Sequence, residues 1–160
     1  MPKLVPNLWF DKVAEQAAEF YVSVFPNSRI TNVVRYPKGS PGPAGEVMTV
    51  EFELDGQPFV GINGGPQFTF DEAVSFHITC QDQAEVDLYW DRLTDGGEES
   101  MCGWLKDRFG LSWQVVPVGM DEIFRHPDPQ RAERAMQAMM GMRKLDVAEM
   151  QRAADGVPAS

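Results

Sequence analysis

Hydrophobic and polar residues alternate along several short stretches in the first part of the chain. The alternation predicts strands over four segments: residues 3–10, 29–36, 46–54 and 58–63. Asp11 is placed to cap a helix after the first strand, and that helix should end before Pro26. Asp55-Gly56 predicts a hairpin between the last two strands, and Pro6 indicates either an edge position for the first strand or the beginning of that strand.

The same order of elements begins again after Gly64-Gly65-Pro66, a sequence typical of a tight turn. A strand is predicted over residues 73–80, and Asp82 should cap a helix that runs to about Thr94. Further strands should lie near 99–106 and 111–117, although one strand of this half is less distinct. A strand, a capped helix and three strands thus occur twice, which predicts two halves of one domain.

The character of the chain changes after Pro117, where helical spacing replaces strand alternation. A helical turn is predicted over 120–125, a helix over 130–142, and a last short helix from Asp146. The Met-rich face of the middle helix is typical of core or of a subunit interface. The pattern predicts a double domain over 1–117 with halves 1–66 and 67–117, a helical extension of the same domain over 118–155, and a disordered tail over 156–160.

Charge and composition narrow the classes of partner. The chain has 24 acidic and 14 basic residues, a net charge of -10, which repels phosphate backbones and argues against nucleic-acid binding. No segment approaches the roughly 20 apolar residues of a membrane span, and the first residues lack a secretory signal pattern, so we expect a cytoplasmic protein. Cys80 and Cys102 are not in a CxxC arrangement, so they should be reduced thiols in or near the core.

Residues 103–117, GWLKDRFGLSWQVVP, resemble the signature of the PhnB-like family, whose domain carries the name 3-demethylubiquinone-9 3-methyltransferase. That family belongs to the glyoxalase, bleomycin-resistance and extradiol-dioxygenase superfamily, also called vicinal oxygen chelate. The resemblance covers nearly the whole chain. Other matching pieces are Trp9-Phe10-Asp11, Asn63-Gly64-Gly65-Pro66 and Pro127-Asp128-Pro129.

The resemblance implies an α+β fold in which two tandem βαβββ modules form a curled mixed-sheet cleft for a small-molecule ligand. Helices should lie outside the sheets, with further helices at the C-terminus, and two chains should form a homodimer. The methyltransferase name is not expected to describe the activity. The sequence has no GxGxG loop between a strand and a helix to cradle a nucleotide-bearing methyl donor.

Metal-dependent members of the superfamily draw His, Glu or Gln ligands from the first and last strands of each half. The matching positions here are Gln114, Ser75 or His77 in the second half, and Asn7, Gly61 or Asn63 in the first. Sites for Mg²⁺, Mn²⁺ or Fe²⁺ normally include a carboxylate, and none of these positions supplies one. We therefore expect no cofactor, with a divalent metal as the alternative.

Two hypotheses about function remain. The chain is either a binding protein that holds an aromatic or amphipathic molecule, or an isomerase, lyase or hydrolase, metal-dependent or metal-free, for a small oxygenated substrate. In the second case His77 would be the catalytic base, although a lone His on a strand is also typical of a structural residue. Missing carboxylates favour binding or a metal-free activity. The residues expected to contact a ligand are Asn7, Trp9, Asn63, Ser75, Trp104 and Gln114.

Overall fold

The computed structural model describes residues 2–157, which divide into two compact units, residues 2–70 and 71–157. Of the predicted tail, residues 158–160 lie outside the described part of the chain. No helix within 2–157 is long and apolar enough to cross a membrane.

The first unit is a four-stranded mixed sheet with one helix. Its elements are β1 (Asn7–Phe10), α1 (Ala14–Val24), β2 (Arg29–Arg35), β3 (Val47–Leu54) and β4 (Gln57–Asn63). The sheet order is β1-β4-β3-β2, with β1 parallel to β4 and the other pairs antiparallel. The prediction that β1 lies at an edge is confirmed. The hairpin at Asp55-Gly56 is also confirmed, and both residues have the positive φ of a tight hairpin turn, 48° and 83°.

Helix α1 packs on the face of this sheet that the alternation marked as apolar. Leu8 and Phe10 of β1 are buried there, and Phe52 and Phe59 stack with ring centroids 5.5 Å apart. Small residues on the helix let it approach the sheet closely. A Cβ on Gly61 would lie 3.2 Å from the Cβ of Ala14, so the residue types at this contact set the distance between helix and sheet.

The start of α1 differs from the prediction. Val13, not Asp11, is the N-cap residue, and its side chain makes no capping hydrogen bond. The predicted cap at Asp11 was wrong because Lys12 has a positive φ of 67°, which turns the chain before the helix begins. The free backbone N–H at the helix start is satisfied by Asn63, a residue of β4.

The second unit repeats this arrangement. Its elements are β5 (Ser75–Cys80), α2 (Gln83–Thr94), β6 (Glu98–Glu99), β7 (Trp104–Lys106) and β8 (Ser112–Pro117), in the sheet order β5-β8-β7-β6. Asp82 caps α2 as predicted and accepts a hydrogen bond from the Glu85 N–H at 2.9 Å. The segment predicted as one strand over 99–106 divides into β6 and β7, because Cys102 and Gly103 take positive φ angles of 59° and 84°. The α+β class and the repeated βαβββ order are confirmed.

Three helices follow the second sheet: α3 (Gly119–Phe124), α4 (Pro129–Met140) and α5 (Val147–Ala154). They share an apolar cluster centred on Leu145 and Met150, against which Val116 of β8 also packs. Met139 contacts this cluster, whereas Met136 and Met140 are exposed. The Met-rich face therefore contributes to the core through only part of its length.

Both cysteines are free thiols. Cys80 is buried on β5, and burial raises the pKa of its thiol to about 12. Its thiolate form is therefore disfavoured at neutral pH, so Cys80 behaves as a small apolar core residue.

Candidate ligand-binding site

The face of the second sheet away from α2, here called the open face, carries the exposed His77 and Thr79 and, at the end of β8, Val116, which packs on the helical cluster. Helix α2 covers the face that carries Ile78 of β5 and Trp113 and Val115 of β8, all of which are buried. Residues of opposite parity point away from α2. Ser75 and His77 on β5 and Gln114 on β8 belong to this open face, as the sequence predicted.

Strand pairing brings four predicted site residues together on the open face. His77 lies directly opposite Gln114 in the β5–β8 pair, and Gln114 lies directly opposite Trp104 in the β8–β7 pair. The three residues therefore form a row across neighbouring strands. The Gln114 Nε2 donates to Ser75 Oγ at 2.9 Å, which holds the amide beside the row. His77 is exposed, and the other three side chains are partly buried.

The donors of this row do not fit a divalent metal. The row and Ser75 supply one imidazole, one amide and one hydroxyl, and the amide and hydroxyl already bind each other. A cation that prefers oxygen ligands needs carboxylates to offset its dehydration, and this set has none. Across residues 2–157, no group of three or more His, Cys, Asp or Glu side chains is arranged to hold a metal ion.

A cavity of about 150 Å³ adjoins the row at Trp104. Its walls include the next row of the sheet, in which Ser112 pairs with Lys106 and Lys106 pairs with Glu98. The other lining residues are Glu72, Glu99, Ser100 and Leu105. Sequence reasoning missed this cavity, although strand alternation already placed Ser112 and Lys106 on the same face as Gln114 and Trp104.

Charged groups of the cavity wall are partly paired. Lys106 Nζ forms an ion pair with Glu72 Oε1. Their hydrogen bond raises the pKa of Lys106 and lowers the pKa of Glu72 relative to their ordinary values. The Trp90 indole N–H donates to Glu99 Oε1 at 2.9 Å. The pKa of Glu99 is lowered from its ordinary value mainly because of this hydrogen bond. All three groups therefore carry their full charges at neutral pH.

Two other predicted residues, Asn7 and Trp9, lie on the first sheet. Asn7 is exposed, and its Nδ2 donates to the Val5 carbonyl at 2.9 Å. The Trp9 indole N–H donates to the Gly65 carbonyl at 2.9 Å, and a Cβ on Gly64 would lie 2.2 Å from the Trp9 ring. The Gly64-Gly65 turn is thus built around Trp9 and is not followed by a helix. This turn does not fit a nucleotide-bearing methyl donor.

Asn63 has a structural contact at each end of its amide. Its Oδ1 accepts from the Ala14 N–H at 2.9 Å, and its Nδ2 donates to the Val47 carbonyl at 3.0 Å. Pairing with Phe10 places Asn63 on the α1 side of the sheet, opposite to Asn7 and Trp9. The structure therefore does not bring Asn63 together with those two residues.

A larger cavity of about 810 Å³ adjoins Asn63 in the first unit. It lies between the start of α1, which contributes Lys12 and Gln16, and the Pro/Gly-rich loop over residues 37–45. Arg35 and Tyr36 line it from the end of β2. Sequence analysis did not predict a cavity beneath this loop.

We expect Asn63→Ala to lower the free energy of unfolding by about 2 kcal/mol. The change removes a helix cap and leaves the Ala14 N–H and the Val47 carbonyl without the amide. Asn7→Ala is the matched control and should change stability by less than about 0.5 kcal/mol, because its amide is exposed. Urea unfolding followed by circular dichroism measures both. Equal effects of the two variants would contradict the capping role of Asn63.

Comparison with known proteins agrees with this architecture. A Bacillus cereus PhnB protein that carries the name 3-demethylubiquinone-9 3-methyltransferase is 34% identical, with a TM-score of 0.67 over 73% of this chain and 100% of that one. Protein PA1353 of Pseudomonas aeruginosa is 20% identical, with a TM-score of 0.60 over 73% and 98% of the two chains. FosX, a fosfomycin resistance protein of Listeria monocytogenes, is 15% identical, with a TM-score of 0.53 over 78% and 98%. The last two likenesses establish the fold alone.

Two four-stranded mixed sheets built from a βαβββ repeat define a protein of the glyoxalase, or vicinal oxygen chelate, class. The sequence profile named 3-demethylubiquinone-9 3-methyltransferase matches residues 2–116. The chain therefore belongs to this PhnB-like family. No curated protein matches it. Helices α3, α4 and α5 lie beyond the matched residues.

Proposed function

We propose that the chain binds a small organic molecule on the open face of its second sheet. The observation that carries this proposal is the row of His77, Gln114 and Trp104 across three neighbouring strands. Small-molecule sites typically combine an apolar or aromatic surface with a few positioned polar groups. Here the Trp104 ring supplies the aromatic surface. The positioned polar groups are the His77 imidazole and the Gln114 amide, which Ser75 holds in place.

Methyl transfer is not part of this proposal, although the family name refers to it. The family match concerns the fold and the signature residues, and fold by itself does not determine activity. The Gly64-Gly65 turn follows a strand, as a phosphate-binding loop does, but it packs on the Trp9 ring, and the Gly65 carbonyl accepts the Trp9 indole N–H. A binding role uses only the groups that are present on the second sheet.

A metal-free lyase or isomerase is the second candidate, and His77 is the observation that favours it. An exposed imidazole opposite an amide can accept a proton from a substrate whose oxygen the amide orients. Turnover that is lost in His77→Ala but retained in His77→Gln would not fit a proton-transfer role. If the enzyme depended on a metal, Mn²⁺ or Zn²⁺ would raise the melting temperature of the parent protein but not that of His77→Ala. We do not expect this effect.

The binding proposal is tested by the four indole N–H signals in ¹⁵N–¹H spectra. We expect aromatic fragments of one or two rings to shift the Trp104 signal, assigned with Trp104→Phe, and to leave the buried Trp113 signal in place. Trp104→Ala should weaken binding by about tenfold, since an aromatic contact contributes roughly 1 kcal/mol or more. Leu88→Ala, an exposed change on α2, is the control and should bind normally.

The proposal fails if no fragment shifts the Trp104 signal, or if Trp104→Ala binds the fragments as tightly as the parent protein.

We also propose, from the family alone, that two chains form a homodimer. Sedimentation equilibrium would then give about twice the monomer mass of 17.9 kDa. A monomer at micromolar concentration would contradict that assembly.

A further inference from the structure

We propose that the 150 Å³ cavity beside Trp104 takes the protonated amino group of the ligand, so that the site selects small organic cations with an aromatic or apolar body. This inference rests on the proposed function and names the chemical class of its ligand. It is carried by one buried hydroxyl, by the charges of the cavity wall and by the aromatic ring at its edge.

The first observation is the hydroxyl of Ser112. The residue has 0% exposure, lines the cavity, and its Oγ has no hydrogen-bond partner in the part of the chain that the structure describes. Buried polar atoms are nearly always hydrogen-bonded, so an unpartnered one requires an explanation. The oxygen has almost no exposed surface in the unliganded chain, so a ligand ammonium group would donate to it once the wall around Ser112 opens.

The second observation is the charge of the wall. Three carboxylates, of Glu72, Glu98 and Glu99, line the cavity against a single ammonium group, of Lys106. Lys106 is paired with Glu72, and Glu99 accepts from Trp90 and from Arg143. The Glu98 side chain makes no hydrogen bond or salt bridge within residues 2–157, and the Lys106 charge that it faces across the β6–β7 pair is already paired with Glu72.

An anionic ligand fits the same wall poorly. Its charge would lie among three carboxylates, and it could reach the Lys106 ammonium group only in competition with Glu72. Like charges at such short range oppose binding. The net charge of -10 on the chain adds a long-range attraction for cations and a repulsion for anions.

The third observation is Trp104, which belongs to both the cavity and the row on the open face. The face of an indole ring attracts cations because of its negative quadrupole, and tryptophan is the best side chain for this interaction. A cavity of 150 Å³ has room for an amino group and a short stem. The body of the ligand would therefore lie outside it, along Trp104 and Gln114.

Three probes of matched shape test the inference: the 2-phenylethylammonium ion, neutral 2-phenylethanol and anionic 3-phenylpropionate. Binding is followed through the Trp104 indole signal. We expect the ammonium ion to bind at least tenfold more tightly than the alcohol, and the carboxylate to show no saturable binding. The preference should diminish as salt is added, because the wall is partly solvent-exposed.

Two variants of the cavity wall and one control variant separate the effect of the cavity from that of the general charge of the protein. Glu98→Gln should weaken binding of the ammonium ion by three- to tenfold and leave binding of the alcohol unchanged. Glu19→Gln is the matched control, since it removes the same charge from an exposed position on α1. Ser112→Ala should also weaken ammonium binding, and it should not destabilise the unliganded protein because it removes an unsatisfied hydroxyl.

The outcomes distinguish the two proposals. Equal binding of the ammonium ion and the alcohol at Trp104, or an effect of Glu98→Gln no larger than that of Glu19→Gln, would overturn the cation preference and leave the binding site in place. If neither these probes nor the wider set of aromatic fragments shifts the Trp104 signal, the proposed function fails as well.

Discussion

Replacing Asp107 by alanine is expected to lower the free energy of unfolding by about 3–5 kcal/mol, since three hydrogen bonds to one buried charged group are lost together. Asp107 is 3% exposed. Its Oδ1 accepts from the backbone N–H groups of Phe109 and Leu111 at 2.8 and 3.1 Å, and its Oδ2 accepts from the Trp113 indole N–H at 2.8 Å. Without the carboxylate, these donors lose their shared acceptor.

Asp107→Asn distinguishes these hydrogen bonds from simple packing. The amide keeps nearly the same shape and one oxygen for the backbone donors, but its NH₂ group would face the Trp113 N–H, so two donors would meet. We expect about half the effect of Asp107→Ala, near 2 kcal/mol. Urea unfolding at a fixed protein concentration gives the values, with Asp91→Asn on the exposed face of α2 as the control. A midpoint unchanged in Asp107→Asn would show that the hydrogen-bond pattern does not matter.

The hydrogen bonds to Asp107 explain what part of the family signature over residues 103–117 does in the fold. Asp107 holds the turn that ends at Leu111 and draws Trp113 into the core beside α2. Because side chains alternate along a strand, fixing Trp113 inward directs Gln114 to the open face. The signature is therefore first a folding element, and it positions a candidate ligand contact as a consequence.

Gly103→Ala is the second change for which we expect a large loss, about 3 kcal/mol or more, from backbone strain and overpacking together. A Cβ at this position would lie 2.9 Å from the Val115 carbonyl oxygen and 2.9 Å from Leu145 Cδ1. The backbone also has a φ of 84°, which side-chain-bearing residues rarely adopt. The Leu145 side chain has little room to move, because it is fully buried.

Gly110→Ala is the matched control for Gly103→Ala. Its φ of 87° is nearly the same, but a Cβ there would meet no atom within 4 Å. It should cost only the backbone strain, about 1 kcal/mol. Equal losses for the two variants in urea unfolding would show that contact with Val115 and Leu145 is unimportant. We also expect Gly103→Ala to shift the Trp104 indole signal, since the Gly103 carbonyl accepts the Val115 N–H next to Gln114.

Sequence patterns predicted most of the elements in both units, because period-2 alternation, helix caps and turn residues act over only a few positions. The predictions that failed have two different causes. Strand β6 has two residues, which is too short to show any alternation. The cap of α1 comes from Asn63, 49 positions away from Ala14 along the chain, so the first-turn residues alone gave no reason to prefer it over Asp11.

Alternation along each strand was enough to place Ser75 and His77 on one face of β5, and Gln114 on the face of β8 away from Trp113. This part of the site depends only on the backbone geometry of single strands. Tertiary structure decided which residues meet. The register that sets His77 opposite Gln114 and Gln114 opposite Trp104 arises from packing of the whole sheet against α2. The cavity that joins Ser112 to Glu72 likewise exists only once strands distant in sequence are paired, because burial and charge proximity are properties of the assembled sheet.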